Sequence, residues 1–181
     1  MTQREPPRLG PILRLAIACA TVAACAGSPV ASAAPASPTP QVSQSGAIGL
    51  ARGQIQAALG GRRVELQVPQ QPYRPAESPS MAGASRAVFQ AVLPEDPGHG
   101  YVVVYEFADP SSAAAAGADQ ARYVVTGPGR VQFPFGTQFV IRQLDTTVIF
   151  YSWVPGSSPD PQAPDVAAAL ASIGRPIPVS G

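Results

Sequence analysis

The chain has 181 residues, with 22 Pro, 17 Gly and 12 basic residues that are all Arg. The part that follows Cys25 holds nine Arg against ten acidic residues, so its net charge is −1. Because binding to nucleic-acid phosphates needs clustered positive charge, this balance argues against a nucleic-acid partner. The length suits a single domain with appended segments.

The N-terminal segment has the pattern of an export signal. Residues 1–14 carry three Arg and one Glu, and an apolar stretch runs from Leu15 to Ala24. That stretch fits the apolar region of a signal peptide, about 7 to 15 residues long, and falls short of the ~20 residues that span a bilayer. We expect residues 1–24 to be a signal peptide that directs the chain out of the cytoplasm.

Cys25 stands directly after this apolar stretch. The residues Val22-Ala23-Ala24-Cys25 resemble the lipobox of bacterial lipoprotein precursors, in which small side chains precede a cysteine whose thiol is joined to diacylglycerol. The Val at the first position departs from the commoner Leu. The resemblance implies lipidation of Cys25, cleavage before it, and an extracytoplasmic protein anchored to the membrane by its lipid.

A second cleavage site stays open. Ala31-Ser32-Ala33, before Ala34, fits the small-x-small pattern of ordinary secretory cleavage. Cleavage there would release a secreted chain without a lipid, and Cys25 would be a small apolar residue of the signal. Both alternatives predict export.

Residues 25–45 form a segment rich in Pro, Ala and Ser, without aromatic or charged residues. A segment of this composition cannot bury enough apolar area to offset the entropy lost on ordering. We expect a disordered, semi-extended tether. It would join the signal to one globular domain over residues 46–181.

The globular part begins with a predicted helix over Ala47–Leu59, where apolar residues recur at helical spacing before Gly60-Gly61. A short strand is predicted over Val64–Val68, because apolar and polar residues alternate there. A proline-rich loop follows.

The clearest pattern is a hairpin followed by a helix, and it occurs twice. The first unit has strands and a helix over Ala87–Leu93, Tyr101–Phe107 and the stretch from Asp109-Pro110 to Gly127-Pro128. The second unit has the same order over Gln138–Leu144, Thr147–Val154 and Ala163–Ile173. This ββα-ββα repeat predicts the α+β class, with an antiparallel sheet of four to five strands and helices packed on one face.

Residue types that carry catalysis or bind metals are scarce. His99 is the only histidine, and no serine lies in a G-x-S-x-G motif, so we assign no catalytic residue. One His, with Cys25 taken up by lipid, does not supply the ligand set that a transition metal requires. The glycines form no phosphate-binding motif either, so we expect no metal and no cofactor.

Loop residues are the candidate contacts with a ligand or partner. An aromatic side chain in a loop is harder to explain by packing than one in a strand. The strand aromatics are expected mainly to fill the core, and they are Tyr101, Tyr105, Phe107, Phe139, Phe150, Tyr151 and Trp153. The candidates are Tyr73, Arg74, His99, Phe133 and Phe135.

An export signal, a tether and a domain poor in reactive groups favour a non-enzymatic binding or accessory module of the cell envelope. Its expected partners are the membrane, through the lipid anchor, and an envelope protein or small ligand. Two alternatives remain open. One is a secreted hydrolase without a lipid anchor that uses His99 or a pair of carboxylates, and the other is a structural component of the envelope.

Overall fold

The computed structural model describes residues 45–180. The predicted signal peptide, the lipobox with Cys25 and the tether up to residue 44 lie outside the described residues. In the part that is described, no helix has the length and apolar character needed to cross a membrane.

Two of the five helices in the described range begin at a side-chain cap. The helices are α1 (Gly46–Gly60), α2 (Pro79–Ala82), α3 (Pro110–Tyr123), α4 (Gly127–Arg130) and α5 (Ala163–Ala171). The side chain of Ser45 accepts a hydrogen bond from the N–H of Ile48 and caps α1. The carboxylate of Asp109 accepts from the N–H groups of Ser111 and Ser112 and caps α3, so the predicted start of this helix is confirmed.

Six strands form one antiparallel sheet in the described range. They are β1 (Leu66–Gln67), β2 (Ser85–Ala91), β3 (Tyr101–Glu106), β4 (Gln138–Leu144), β5 (Thr147–Trp153) and β6 (Arg175–Pro176). Their order in the sheet is β1-β2-β3-β5-β4-β6, with every neighbouring pair antiparallel. The α+β class and the ββα-ββα order are confirmed, and the unpredicted two-residue β6 adds a strand to the expected four to five.

Helices cover both faces of the sheet, and not one face as expected from the sequence. α1 and α5 pack against the face that carries Val102 and Val104, whereas α3 packs against the face that carries Val103 and Tyr105. All four of these residues of β3 are fully buried. Because successive residues of a strand point to opposite faces, an apolar run of this kind needs cover on both sides.

Most element boundaries differ from the predicted ones by one or two residues, and β1 and α3 are clearly shorter than predicted. Only Leu66 and Gln67 of the predicted strand over Val64–Val68 pair with β2, while Val64 is buried beside α1. α3 ends at Tyr123, earlier than predicted, and Gly127-Pro128 opens α4 instead of closing α3. Proline is favourable at the start of a helix as well as after its end, which explains the second difference.

One end of the sheet brings several loops together. Val102, near the start of β3, pairs with Tyr151, near the end of β5, because the two strands are antiparallel. The loop that precedes β3 and the loop that follows β5 therefore lie side by side at this end. β4 also begins there, since Gln138 pairs with Trp153.

Candidate functional site

A cleft of about 670 Å³ opens at this end of the sheet. Its lining includes Tyr101, Tyr151 and Trp153 from the ends of β3 and β5, together with the segment 71–76 and part of the loop 132–137, namely residues 132–134 and 137. The volume lies within the range of about 300–1,000 Å³ that is common for small-molecule sites. Aromatic rings and polar side chains of several loops therefore meet in one concave surface.

The structure brings four of the five predicted contact residues to this cleft. Tyr73, Arg74, His99 and Phe133 all line it. Phe135 does not line it and is 94% exposed, with the guanidinium of Arg130 6.0 Å from its ring centre.

Tyr73 forms one wall of the cleft by stacking on the sheet. Its ring lies parallel to that of Tyr101, with 4.1 Å between the ring centres. Desolvation raises the pKa of the Tyr73 hydroxyl above its usual value, although a hydrogen bond with Ser152 acts in the opposite direction. The phenol therefore stays neutral at physiological pH and can serve as a hydrogen-bonding group.

A buried carboxylate holds this wall against the sheet. The side chain of Glu77 is only 3% exposed, and it accepts a hydrogen bond from Arg74 Nε at 2.7 Å. It also accepts from Tyr105 Oη at 2.8 Å and from Arg86 Nη1 at 3.3 Å. Burial, and then the hydrogen bond to Glu77, raise the pKa of Tyr105, so its hydroxyl remains a donor. Arg74 is thereby placed at the cleft by a charge partner behind it.

A second buried group fixes the same segment from the helix side. Gln120 of α3 is 1% exposed. Its Oε1 accepts from the N–H of Ser78 at 2.7 Å, and its Nε2 donates to the carbonyl of Ala76 at 2.8 Å. Because both backbone groups are satisfied by one side chain, the segment needs no strand partner to stay in place.

Phe133 forms the opposite wall and is held by other aromatic rings. It meets Phe139 edge to face, with ring centres 4.9 Å apart, and lies 6.4 Å from the ring of Phe150. Arg130 Nη1 donates to the carbonyls of Phe133 and Pro134 at 3.4 Å. These contacts tie the loop 132–137 to the hydrophobic layer beneath α3.

Asp96 and His99 stand together in the loop between β2 and β3. Asp96 Oδ1 lies 2.5 Å from His99 Nδ1, and the aspartate side chain is 10% exposed while that of the histidine is 76% exposed. Desolvation acts to raise the pKa of Asp96, but hydrogen bonds from Ser158 and His99 outweigh it, so the pKa is lowered. The carboxylate is therefore ionised at neutral pH and accepts a proton-bearing Nδ1.

This loop is anchored at two further points. Gln90 Nε2 donates to the carbonyls of Pro97 and His99, each at 2.9 Å. The carboxylate of the buried Asp160 accepts from the N–H of Glu95 at 3.0 Å. Side chains from β2 and from the loop after β5 therefore fix the position of His99 at the cleft.

Sequence reasoning missed the strand residues of the site. Tyr101 and Trp153 are expected in the core from their strand patterns, yet each stands at the end of its strand and lines the cleft. Their terminal position was the available signal, since the last residues of a strand lie beside loops. Asp96 carried no signal as a cleft residue, because a turn motif explains it equally well.

Side chains that could bind a metal ion are not clustered in the described region. Residues 45–180 contain no cluster of three or more His, Cys, Asp or Glu side chains that could hold a metal ion.

Comparison of the chain with protein-family models, with curated proteins and with solved structures gave no match.

Proposed function

We propose that the chain is an exported, lipid-anchored module of the cell envelope that binds a small ligand in the cleft at the end of the sheet. One observation supports ligand binding. The side chains of Tyr73, Arg74, His99 and Phe133 line a single cleft together with aromatic residues of β3 and β5. The export and lipidation part is supported by the N-terminal sequence pattern alone.

The way the cleft is built favours binding. Its walls come from loops, but Glu77 and Gln120 hold one wall by hydrogen bonds, and packed phenylalanines hold the other. A cleft that is already formed does not need to order its walls when a ligand enters, which lowers the entropic cost of binding.

The binding proposal can be tested with a library of neutral and charged small molecules. Trp153 is the only tryptophan and lines the cleft, so its fluorescence reports on this site. Binders should change Trp153 emission and shift amide resonances of the cleft, and Ser157→Phe, which narrows the cleft, should abolish both effects. Ser85→Phe, at the exposed start of β2, is the matched control. Compounds that change Trp153 emission equally in the Ser157→Phe and Ser85→Phe variants would contradict the proposal.

The proposed export and lipid anchor are tested by the intact mass of the protein from a membrane fraction. A mature chain that begins at Cys25 with a diacylglyceryl group is the expected result, and Cys25→Ala should remove the protein from that fraction. A chain that begins at Ala34 would contradict the lipid anchor. An unprocessed chain in the cytosol would contradict export as well.

A hydrolase is a second candidate, and the Asp96–His99 pair favours it. A carboxylate that holds an imidazole in one orientation is a common way to build a general base. Within residues 45–180, no hydrogen bond joins the His99 ring to a serine, so water would have to be the nucleophile. Turnover of nitrophenyl esters that is lost in His99→Ala would support this candidate. Binding without turnover would support the binding module.

A further inference from the structure

The charged groups of the cleft already have partners within the protein. Arg74 forms an ion pair with Glu77, and the carboxylate of Asp96 accepts hydrogen bonds from His99 and Ser158. A charged ligand would have to compete with these contacts. The cleft therefore suits a ligand without net charge.

Two polar side chains of one wall already use their donor groups in hydrogen bonds within the protein. Gln132 Nε2 donates to Tyr123 Oη at 2.8 Å and to the carbonyl of Pro128 at 3.0 Å. The hydroxyl of Thr137 donates to the carbonyl of Pro134 at 2.8 Å. Both Gln132 and Thr137 line the cleft, so what they can offer a ligand is oxygen acceptors.

His99 offers an acceptor of the same kind. Its Nδ1 carries the proton that is donated to the carboxylate of Asp96. In a neutral imidazole the other nitrogen, Nε2, is then an acceptor. Three side chains from two loops thus present acceptors to a ligand that must bring the donors.

Aromatic side chains are a second part of the lining. Trp153, Phe133 and the stacked pair Tyr73 and Tyr101 supply ring surfaces, whose faces carry negative electrostatic potential and attract polarised C–H groups. A ligand that fits has apolar C–H faces and also hydroxyl groups around its edge.

We infer that the cleft binds the neutral pyranose rings of a glycan, with ring faces against the aromatic side chains and hydroxyls donating to Gln132, Thr137 and His99. This inference rests on the proposed ligand-binding role of the cleft. It adds the chemical class of the ligand.

A proline-rich peptide is the main competitor, because aromatic grooves also bind polyproline helices. Such a peptide presents backbone carbonyls, which are acceptors, and its prolines have no N–H group. Its carbonyls could accept from Trp153 Nε1 or Tyr73 Oη, but a proline-rich backbone has few donors for the acceptors of Gln132, Thr137 and His99. The glycan is favoured because each of its hydroxyls can both donate and accept.

The test uses neutral oligosaccharides of glucose, galactose, mannose and N-acetylglucosamine, with a proline-rich peptide for comparison. Each is titrated into the mature protein while Trp153 fluorescence is followed. We expect saturable binding of at least one oligosaccharide. Thr137→Val should weaken it about three- to tenfold, as loss of one hydrogen bond predicts.

Thr126→Val is the matched control, because Thr126 also donates to a nearby carbonyl, that of Arg122, but does not line the cleft. Equal melting temperatures of the two variants show that folding is not the cause. Binding of the peptide but of no oligosaccharide, or an oligosaccharide affinity unchanged by Thr137→Val, would overturn the glycan assignment. If library compounds bind in the cleft and glycans do not, the binding function stands and its ligand class is wrong. If nothing binds there, both fail.

Discussion

The ring of Tyr73 lies flat on the ring of Tyr101, with an angle of 4° between the two planes. Tyr101 is fixed in β3 by its pairing with Gln90, whereas Tyr73 belongs to a segment without strand partners. The stack therefore joins an irregular wall of the cleft to the sheet. The shape of the cleft depends on this contact.

Tyr73→Ala should lower the free energy of unfolding by about 1–3 kcal/mol, because the stack and the burial of the ring are lost. Tyr73→Phe keeps the ring and loses only the hydrogen bond with Ser152, so we expect a smaller loss of about 0.5–1.5 kcal/mol. Urea unfolding of the two variants checks the order. Equal losses would show that the hydroxyl, and not the stack, stabilises this wall.

Gly100 connects the His99 loop to β3 and cannot be replaced without strain. Its φ is +84°, and a Cβ built there would lie 2.4 Å from the carbonyl oxygen of Ala91. Gly100→Ala should therefore destabilise the protein by more than about 2 kcal/mol and change the emission of Trp153.

Gly98 provides the matched control in the same loop. A Cβ built at Gly98 meets no atom within 4 Å. Gly98→Ala should change the free energy of unfolding by less than about 0.5 kcal/mol. Similar effects of the two alanines on urea unfolding would contradict this account of Gly100.

The predictable part of the fold came from patterns within short stretches. The strands over Gln138–Leu144 and Thr147–Trp153 follow from their β-branched and aromatic residues and from the Asp145-Thr146 turn between them. β6 was not predicted because two residues are too few to show the alternation of apolar and polar side chains that marks a strand. Arg175 and Pro176 form a strand only through their pairing with β4.

The candidate site was predictable only in part. Tyr73 and Phe133 stood out as aromatic residues in loops. Their placement on the same cleft depends on contacts between distant parts of the chain. One such contact is that of Gln120 with the backbone of Ser78, 42 residues earlier. Nothing in the local sequence around Gln120 marks it as the residue that holds the segment, since many exposed helices carry glutamine.

Acid should weaken the loop that carries His99. The pKa of Asp96 is lower in the folded protein than the usual value of 3.8, so the native carboxylate holds a proton less readily than the unfolded one. The resulting stabilisation is present above the usual pKa and is lost as the pH falls through the lowered pKa. Urea unfolding from pH 7 to pH 2.5 should show this loss below about pH 4.

Asp96→Asn should remove that part of the pH dependence, and His99→Ala should reduce it only partly, because Ser158 still bonds to the carboxylate. The comparison is made on the difference in unfolding free energy between each variant and the unaltered protein. A difference for Asp96→Asn that does not change between pH 7 and pH 2.5 would contradict the lowered pKa.

Gln120→Leu should loosen the wall of the cleft from behind. The leucine has a similar volume but leaves the N–H of Ser78 and the carbonyl of Ala76 without a partner, at about 1–3 kcal/mol for each buried group. We expect a loss of about 2–4 kcal/mol in urea unfolding and faster hydrogen exchange of the Ser78 amide. Gln138→Leu, on an exposed position of β4, is the control and should change stability by less than about 0.5 kcal/mol. If the Ser78 amide exchanges at the same rate in Gln120→Leu as in the unaltered protein, the side chain of Gln120 does not hold the segment around Ser78 in place. The cleft would then owe its shape to the Tyr73 stack and the Glu77 hydrogen bonds alone.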